Sequence, residues 1–102
     1  LPRFAPLSRF PAIRRDLAVV VDEAVPAEAV RAAIGQAAGD LLNDLELFDV
    51  YRGEGVDGGR KSLALSLTLQ APDRTLLDAE VDAVLKRVME TLETEYKATL
   101  RA

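Results

Sequence analysis

With 102 residues, of which 49% are hydrophobic, the chain is the size of one domain and can bury a core without disulfide bonds. It contains no cysteine and no histidine, which excludes a disulfide framework, thiolate metal ligands, histidine-based catalytic triads and the usual zinc sites. The 13 basic and 17 acidic residues give a net charge of -4, a balance that argues mildly against a nucleic-acid-binding surface.

The start of the chain predicts an extended arm followed by a strand. Prolines at positions 2, 6 and 11 exclude a regular helix or a central strand, and we interpret residues 1–14 as an extended N-terminal arm. Residues 15–22 are rich in β-branched side chains, which predicts a central strand. Alternation along this strand places Ala18 on one face and Leu17 and Val19 on the other.

The next two elements are a helix and a second strand. Helix one is predicted to begin at Pro26, because proline suits the first helical position, and to be interrupted near Gly39. Residues 45–52 then alternate, so that Asp49 and Tyr51 share one side of a strand with the two leucines that precede them. The pattern alone does not settle which side faces the core.

Strand three carries the clearest pattern. Over residues 62–70, leucines take one face, whereas small or polar residues beginning with Ser62 take the other. Helix two is predicted over residues 78–95, with Thr75 in a capping arrangement before it, and residues 98–101 form a short last strand. Apolar stripes on both helices are expected to pack against the leucines. The residues expected to meet there are Val30, Ile34, Leu63, Leu65, Leu67, Val81, Leu85 and Val88.

The order of these elements predicts an α+β fold. Strand, helix, strand, strand, helix, strand is the ferredoxin-like βαββαβ arrangement, in which two helices cover one face of a four-stranded antiparallel sheet. We assign this domain to residues 15–102. The other face of the sheet is then open to a ligand.

The hairpin between strands two and three carries two weaker signals. Its glycines at 53, 55 and 58 spell GxGxxG, but a strand follows where a phosphate-binding loop requires a helix, so we interpret the segment as a hairpin tip. Arg52, Arg60 and Lys61 flank the tip and are either a solvated cluster or candidate contacts for a phosphate backbone. The carboxylates of helix two recur on its outward side, typical of a solvated face, and we predict no catalytic residue.

The pair Asp49 and Tyr51 is a candidate base-recognition site. If Phe48 and Val50 point into the core, the pair lies on the open face beside the small residues of strand three. A carboxylate can accept hydrogen bonds from guanine, and a phenol ring can stack on a base. On the pattern alone, cross-strand packing is the commoner role of such a tyrosine.

Six segments carry a resemblance to one known family: RFPA at 9–12, RRDLA at 14–18, FDVYRGEG at 48–55, KSLAL at 61–65, RTLLDAEVDAVLKRV at 74–88 and the terminal LRA. Together they resemble the C-terminal anticodon-binding domain of bacterial phenylalanyl-tRNA synthetase beta subunits. The resemblance covers essentially the whole chain and implies a ferredoxin-like sheet that reads the anticodon, on a beta subunit that pairs with a catalytic alpha subunit in a heterotetramer. It also implies that this domain holds no cofactor, since ATP and magnesium bind elsewhere in that assembly.

The resemblance implies contacts with the tRNA anticodon at five positions of this chain. Asp49 resembles the residue that reads the guanine opening the phenylalanine anticodon, and Tyr51 resembles the ring stacked on that base. Ser62 stands where the family has a polar contact. Ala18 matches a position of close backbone approach to RNA, and Arg101 matches a terminal arginine that meets the anticodon loop.

One position departs from the family, and other functions remain open. Leu77 stands where the family often has serine or threonine before helix two. An acylphosphatase-type enzyme needs a phosphate-binding arginine and an asparagine, but the only asparagine, Asn43, lacks a recognisable arginine loop. A regulatory or dimerising module would favour an apolar open face, which strand three does not offer. Without a long apolar run or a signal-peptide pattern, we expect a cytoplasmic protein with no membrane partner.

Overall fold

The computed structural model describes residues 10–101, which form a single sheet with two helices. The residues of the predicted arm before Phe10 lie outside the described residues. The elements in chain order are β1 (Ile13–Asp22), α1 (Ala27–Ala38), a 3-10 turn (Gly39–Leu41), β2 (Leu42–Tyr51), β3 (Arg60–Leu69), α2 (Asp78–Tyr96) and β4 (Thr99–Leu100).

The strands form one antiparallel sheet in the order β2-β3-β1-β4, and both helices pack on one face of it. The predicted ferredoxin-like fold is confirmed. The leucines of β3 are fully buried, and the apolar stripes of α1 and α2 pack against them. Of the residues predicted to meet there, only Leu85 remains partly exposed. We call the helix-bearing side the covered face and the opposite side the open face.

β1, β2 and β3 are longer than their hydrophobic patterns predicted, whereas β4 covers only Thr99–Leu100 of the predicted 98–101. β1 and β3 pair along their whole lengths, from Ile13 opposite Leu69 to Asp22 opposite Arg60. The ladder therefore includes Arg14 near one end and Arg60 at the other, charged residues that hydrophobic alternation does not identify. Pro26 is the N-cap residue rather than the first residue of α1.

A β-bulge in β2 corrects the predicted faces of that strand. The register passes from Leu47 opposite Leu65 to Asp49 opposite Ala64, so Phe48 has no partner on β3. Directly opposed side chains share a face, and one extra residue shifts the alternation. The leucines of β2 therefore join the covered face, whereas Asp49 turns to the open face. Phe48 is 49% exposed, so the bulge, and not burial of Phe48 in the core, places Asp49 on the open face.

An ion pair ties the β2–β3 hairpin to the turn after β1. Nε of Arg52 donates to Oε2 of Glu23 at 2.9 Å, and the backbone N–H of Glu23 donates to the carbonyl of Gly59 at 2.8 Å. The hydrogen bonds from Arg52 lower the pKa of the Glu23 carboxyl, although partial desolvation opposes them. The hairpin is thus fastened to β1 at its base.

The start of α2 differs from its predicted capping. Leu77 is the N-cap residue and has no side-chain group that could accept a hydrogen bond, and Thr75 lies outside the helix. The predicted capping role of Thr75 is therefore wrong. The carboxylate of Glu80 accepts the backbone N–H of Leu77 at 3.2 Å and pairs with Arg74. Only this half of a capping box is chemically available.

Leu77→Ser is expected to stabilise the fold by about 0.5–2 kcal/mol, because a hydroxyl at the N-cap accepts a free N–H of the first helical turn. Leu77 is 67% exposed, so little apolar burial is lost. Urea unfolding of the chain measures the change. Leu77→Ala is the matched control, and an equal gain in both variants would contradict the capping explanation.

Glu23→Gln is expected to destabilise the chain near neutral pH but not in acid. Because the folded state lowers the pKa of Glu23, its ion pair contributes above the ordinary carboxyl pKa and is lost as the pH falls through the lowered value. Urea unfolding at about pH 7 and at about pH 2 measures the difference. Glu54→Gln, a hairpin carboxylate without an ion pair inside residues 10–101, is the control. A difference that persisted in acid would contradict the prediction.

Candidate nucleic-acid interface

Two rows of residues cross the open face at one end of the sheet. One row runs from Asp49 through Ala64 to Ala18, and the next begins with Tyr51 opposite Ser62. The bulge at Phe48 brings Asp49 and Tyr51 to this face. Four of the five residues predicted to contact the anticodon therefore lie together.

Arg101, the fifth predicted residue, lies over the ring of Tyr51 and completes what we call the open-face cluster, which consists of Ala18, Asp49, Tyr51, Ser62 and Arg101. The centre of its guanidinium is 4.4 Å from the ring centroid, a cation–π contact. The Tyr51 hydroxyl donates to the carbonyl of Glu54 at 2.8 Å. The ring is thus held at its face by a cation and at its tip by the hairpin backbone.

Small side chains allow this contact between opposite edges of the sheet. The backbone N–H of Arg101 donates to the carbonyl of Ala18 at 2.7 Å, which fixes Arg101 beside β1. Tyr51 lies on β2, at the far edge beyond β3. Because Ala18 and Ala64 present only methyl groups between these edges, a long arginine side chain can reach the tyrosine ring.

Two glycines of the hairpin tip pack close to this pair. A Cβ at Gly53, where φ is +130°, would lie 3.4 Å from the Tyr51 hydroxyl oxygen. A Cβ at Gly55, where φ is +89°, would lie 3.8 Å from a guanidinium nitrogen of Arg101. Backbone of this conformation strongly favours glycine. The glycine-rich tip therefore lines one side of the contact between Tyr51 and Arg101, which we call the tyrosine–arginine cluster.

Asp49 and Ser62 differ in accessibility. The Asp49 side chain is exposed and makes no ion pair within the described part of the chain. Its carboxylate is therefore available as a hydrogen-bond acceptor beside an aromatic ring. Ser62 lies on β3, between Tyr51 and β1, and is only 3% exposed. A ligand that reaches the Ser62 hydroxyl must first move its neighbours.

The three candidate phosphate contacts occupy different environments. Arg52 pairs with Glu23, away from the tyrosine–arginine cluster. Arg60 is half-buried and bonded to Asp22. Lys61 is buried and stands opposite Val21, a core residue, so it belongs to the covered face. The role of these three residues as phosphate contacts stays a prediction.

Sequence reasoning missed how the chain itself holds the cluster. The Tyr51 hydroxyl donates to the carbonyl of Glu54, and Arg60 donates to two further backbone carbonyls. Because these acceptors are backbone atoms, no side-chain pattern predicts the bonds. The signal that could have been used is the glycine spacing at 53 and 55, since glycine marks close backbone approach.

Other candidate chemistry finds little support in residues 10–101. No group of three carboxylates converges as a metal site would require, and no helix there is long and apolar enough to cross a membrane. The glycine tip leads into β3, so no helix N-terminus faces it as a phosphate loop requires. The Asn43 amide donates to the Gln70 side chain at 3.3 Å.

Comparison with known proteins places the chain in one family. It is 54% identical over 101 residues to the phenylalanine-tRNA ligase beta subunit of Moorella thermoacetica, 50% identical to that of Methylococcus capsulatus and 48% identical to that of Coxiella burnetii. These matches cover 99%, 99% and 100% of this chain but 13% of each relative. The sequence model described as ferredoxin-fold anticodon binding domain matches residues 8–101. The chain belongs to the family of ferredoxin-fold anticodon-binding domains.

Proposed function

We propose that this chain is the anticodon-recognition module of a phenylalanine-tRNA ligase beta subunit, and that it binds the anticodon loop of phenylalanine tRNA on its open face. The observation that carries the proposal is the exposed carboxylate of Asp49 beside the ring of Tyr51, with Arg101 next to them. Membership of the anticodon-binding family and the identities to the three beta subunits support it.

The chemistry of the cluster suits an unpaired guanine. In single-stranded loops, bases are splayed out, stacked on aromatic rings and hydrogen-bonded along their edges. Asp49 accepts from the ring N–H and amino group of the first anticodon base, and Tyr51 stacks on it. A base that stacks on the Arg101 side of the ring takes the place of the guanidinium, since 4.4 Å leaves no space between them. The displaced guanidinium then meets a phosphate.

The remaining assignments concern the larger protein. The chain spans 13% of the beta subunits it matches, and aminoacylation is performed by the rest of the enzyme. Its partners are the remainder of the beta subunit and a catalytic alpha subunit in a heterotetramer. ATP and magnesium are bound outside this domain, whose glycine-rich tip lacks the helix that a phosphate cradle needs.

Tyr51→Ala is expected to weaken binding of the anticodon loop by about 1–3 kcal/mol, the usual loss for one base–aromatic stack. The loss should be largely independent of which base is stacked. Titration of the complete protein at fixed salt measures it, because phosphate contacts make affinity depend on ionic strength. Tyr51→Phe keeps the ring and should retain most of the affinity. An equal loss in both variants would argue against stacking.

Asp49→Ala is expected to cost about 1–3 kcal/mol for the native loop, because a carboxylate that pairs with guanine is removed. The same change should cost little for a loop whose first anticodon base is replaced, so the two changes are non-additive in a double-mutant cycle. Glu46→Ala removes a carboxylate from the open face of the same strand, opposite Ser66, and is the matched control. Equal losses for native and substituted loops would exclude Asp49 as the guanine reader.

A further inference from the structure

Arg60 joins three parts of the sheet from one side chain. Its guanidinium donates to Oδ1 of Asp22 at 2.8 Å, to the carbonyl of Val20 at 2.9 Å and to the carbonyl of Lys97 at 3.1 Å. The first two acceptors belong to β1, and the third precedes β4. The Arg60 side chain is only 20% exposed. This arrangement differs from that of a free surface cation.

The strand that Arg60 reaches has few other attachments. β4 contains two residues, and it pairs with β1 only through Leu100 opposite Val19 and Thr99 opposite Val20. It lies at the edge of the sheet, and both of its residues are exposed. So short an edge strand opens at low free energy unless other bonds hold it. The bond to the Lys97 carbonyl holds the turn through which α2 enters β4.

Arg101 follows β4 immediately and depends on its position. The Arg101 N–H reaches Ala18 only when β4 lies along β1, and this places the guanidinium over Tyr51. We propose that Arg60 is a positioning residue for RNA binding: it holds β4 against β1 and thereby places Arg101 at the open-face cluster. This inference rests on the proposed function for its RNA part.

The geometry favours this role over direct contact with a phosphate. The planar guanidinium of Arg60 donates all three bonds, and the carboxylate of Asp22 neutralises its charge. A phosphate contact would have to break bonds that hold β4. Arg52, on the other side of the hairpin, pairs with Glu23 and makes none of these bonds. It is therefore a matched control from the same hairpin.

The first test measures β4 without RNA. Hydrogen–deuterium exchange of the segment 97–101 in the complete protein should become about tenfold faster in Arg60→Gln and remain unchanged in Arg52→Gln. Unchanged exchange in Arg60→Gln overturns the proposal. General acceleration of β1 and β3 also overturns it, since Arg60 would then support the whole fold.

The second test uses a double-mutant cycle with the anticodon loop. Arg101→Ala should weaken binding about tenfold, the scale of one hydrogen bond to a charged group. Arg60→Gln should weaken binding to a similar extent, yet change it less than about twofold when Arg101→Ala is already present. Two results together would identify Arg60 as a phosphate contact and overturn the proposal: additive losses of affinity, and a slope of log affinity against log salt concentration that decreases by about one further unit.

The two tests separate this inference from the proposed function. If Arg101→Ala leaves loop affinity unchanged, Arg101 is not part of the interface, and the RNA role of Arg60 fails with it. The exchange rates of segment 97–101 still decide whether Arg60 holds β4. If Arg101→Ala weakens binding but exchange does not respond to Arg60→Gln, the interface stands and the positioning role is wrong.

Discussion

The β-bulge at Phe48 is the constraint on which the open-face cluster depends. Side chains of a strand alternate between two faces, so a regular β2 would place Asp49 and Tyr51 on the same face as Leu45 and Leu47. The extra residue lets the two leucines complete the covered face while the polar pair lies on the other. One strand thereby serves the core along one half and the candidate interface along the other.

The open-face cluster also requires small side chains on the open face between the two edges of the sheet. Tyr51 lies on one edge strand, and Arg101 follows the other, so their contact crosses two central strands. Ala18 and Ala64 form the row beneath this crossing. Larger side chains there would keep the guanidinium from the ring. Small residues that contribute little to any core are thus needed for the geometry of the site.

The fold could be predicted because β3 and the helices follow regular periods. The leucines of β3 alternate without interruption, and their burial follows directly. The faces of β2 could not be derived in this way, since Leu45, Leu47, Asp49 and Tyr51 have the same parity and no hydrophobic pattern marks a bulge. The site residues came from resemblance to a family, because an exposed tyrosine on a sheet is more often a packing residue. Two of the three bonds of Arg60 end on backbone carbonyls, which a sequence does not distinguish.

The charge distribution fits a module that discriminates between bases rather than one that attracts RNA in general. Most arginines of the described residues pair with carboxylates, as Arg52 does with Glu23 and Arg60 with Asp22, and the whole chain carries a charge of -4. Phosphate contacts supply affinity that is independent of sequence, whereas contacts with base edges depend on base identity. A face with few free cations binds weakly to an arbitrary loop. Under the proposed function, recognition at this face depends on the carboxylate of Asp49 and the ring of Tyr51, and the rest of the larger protein supplies the remaining affinity.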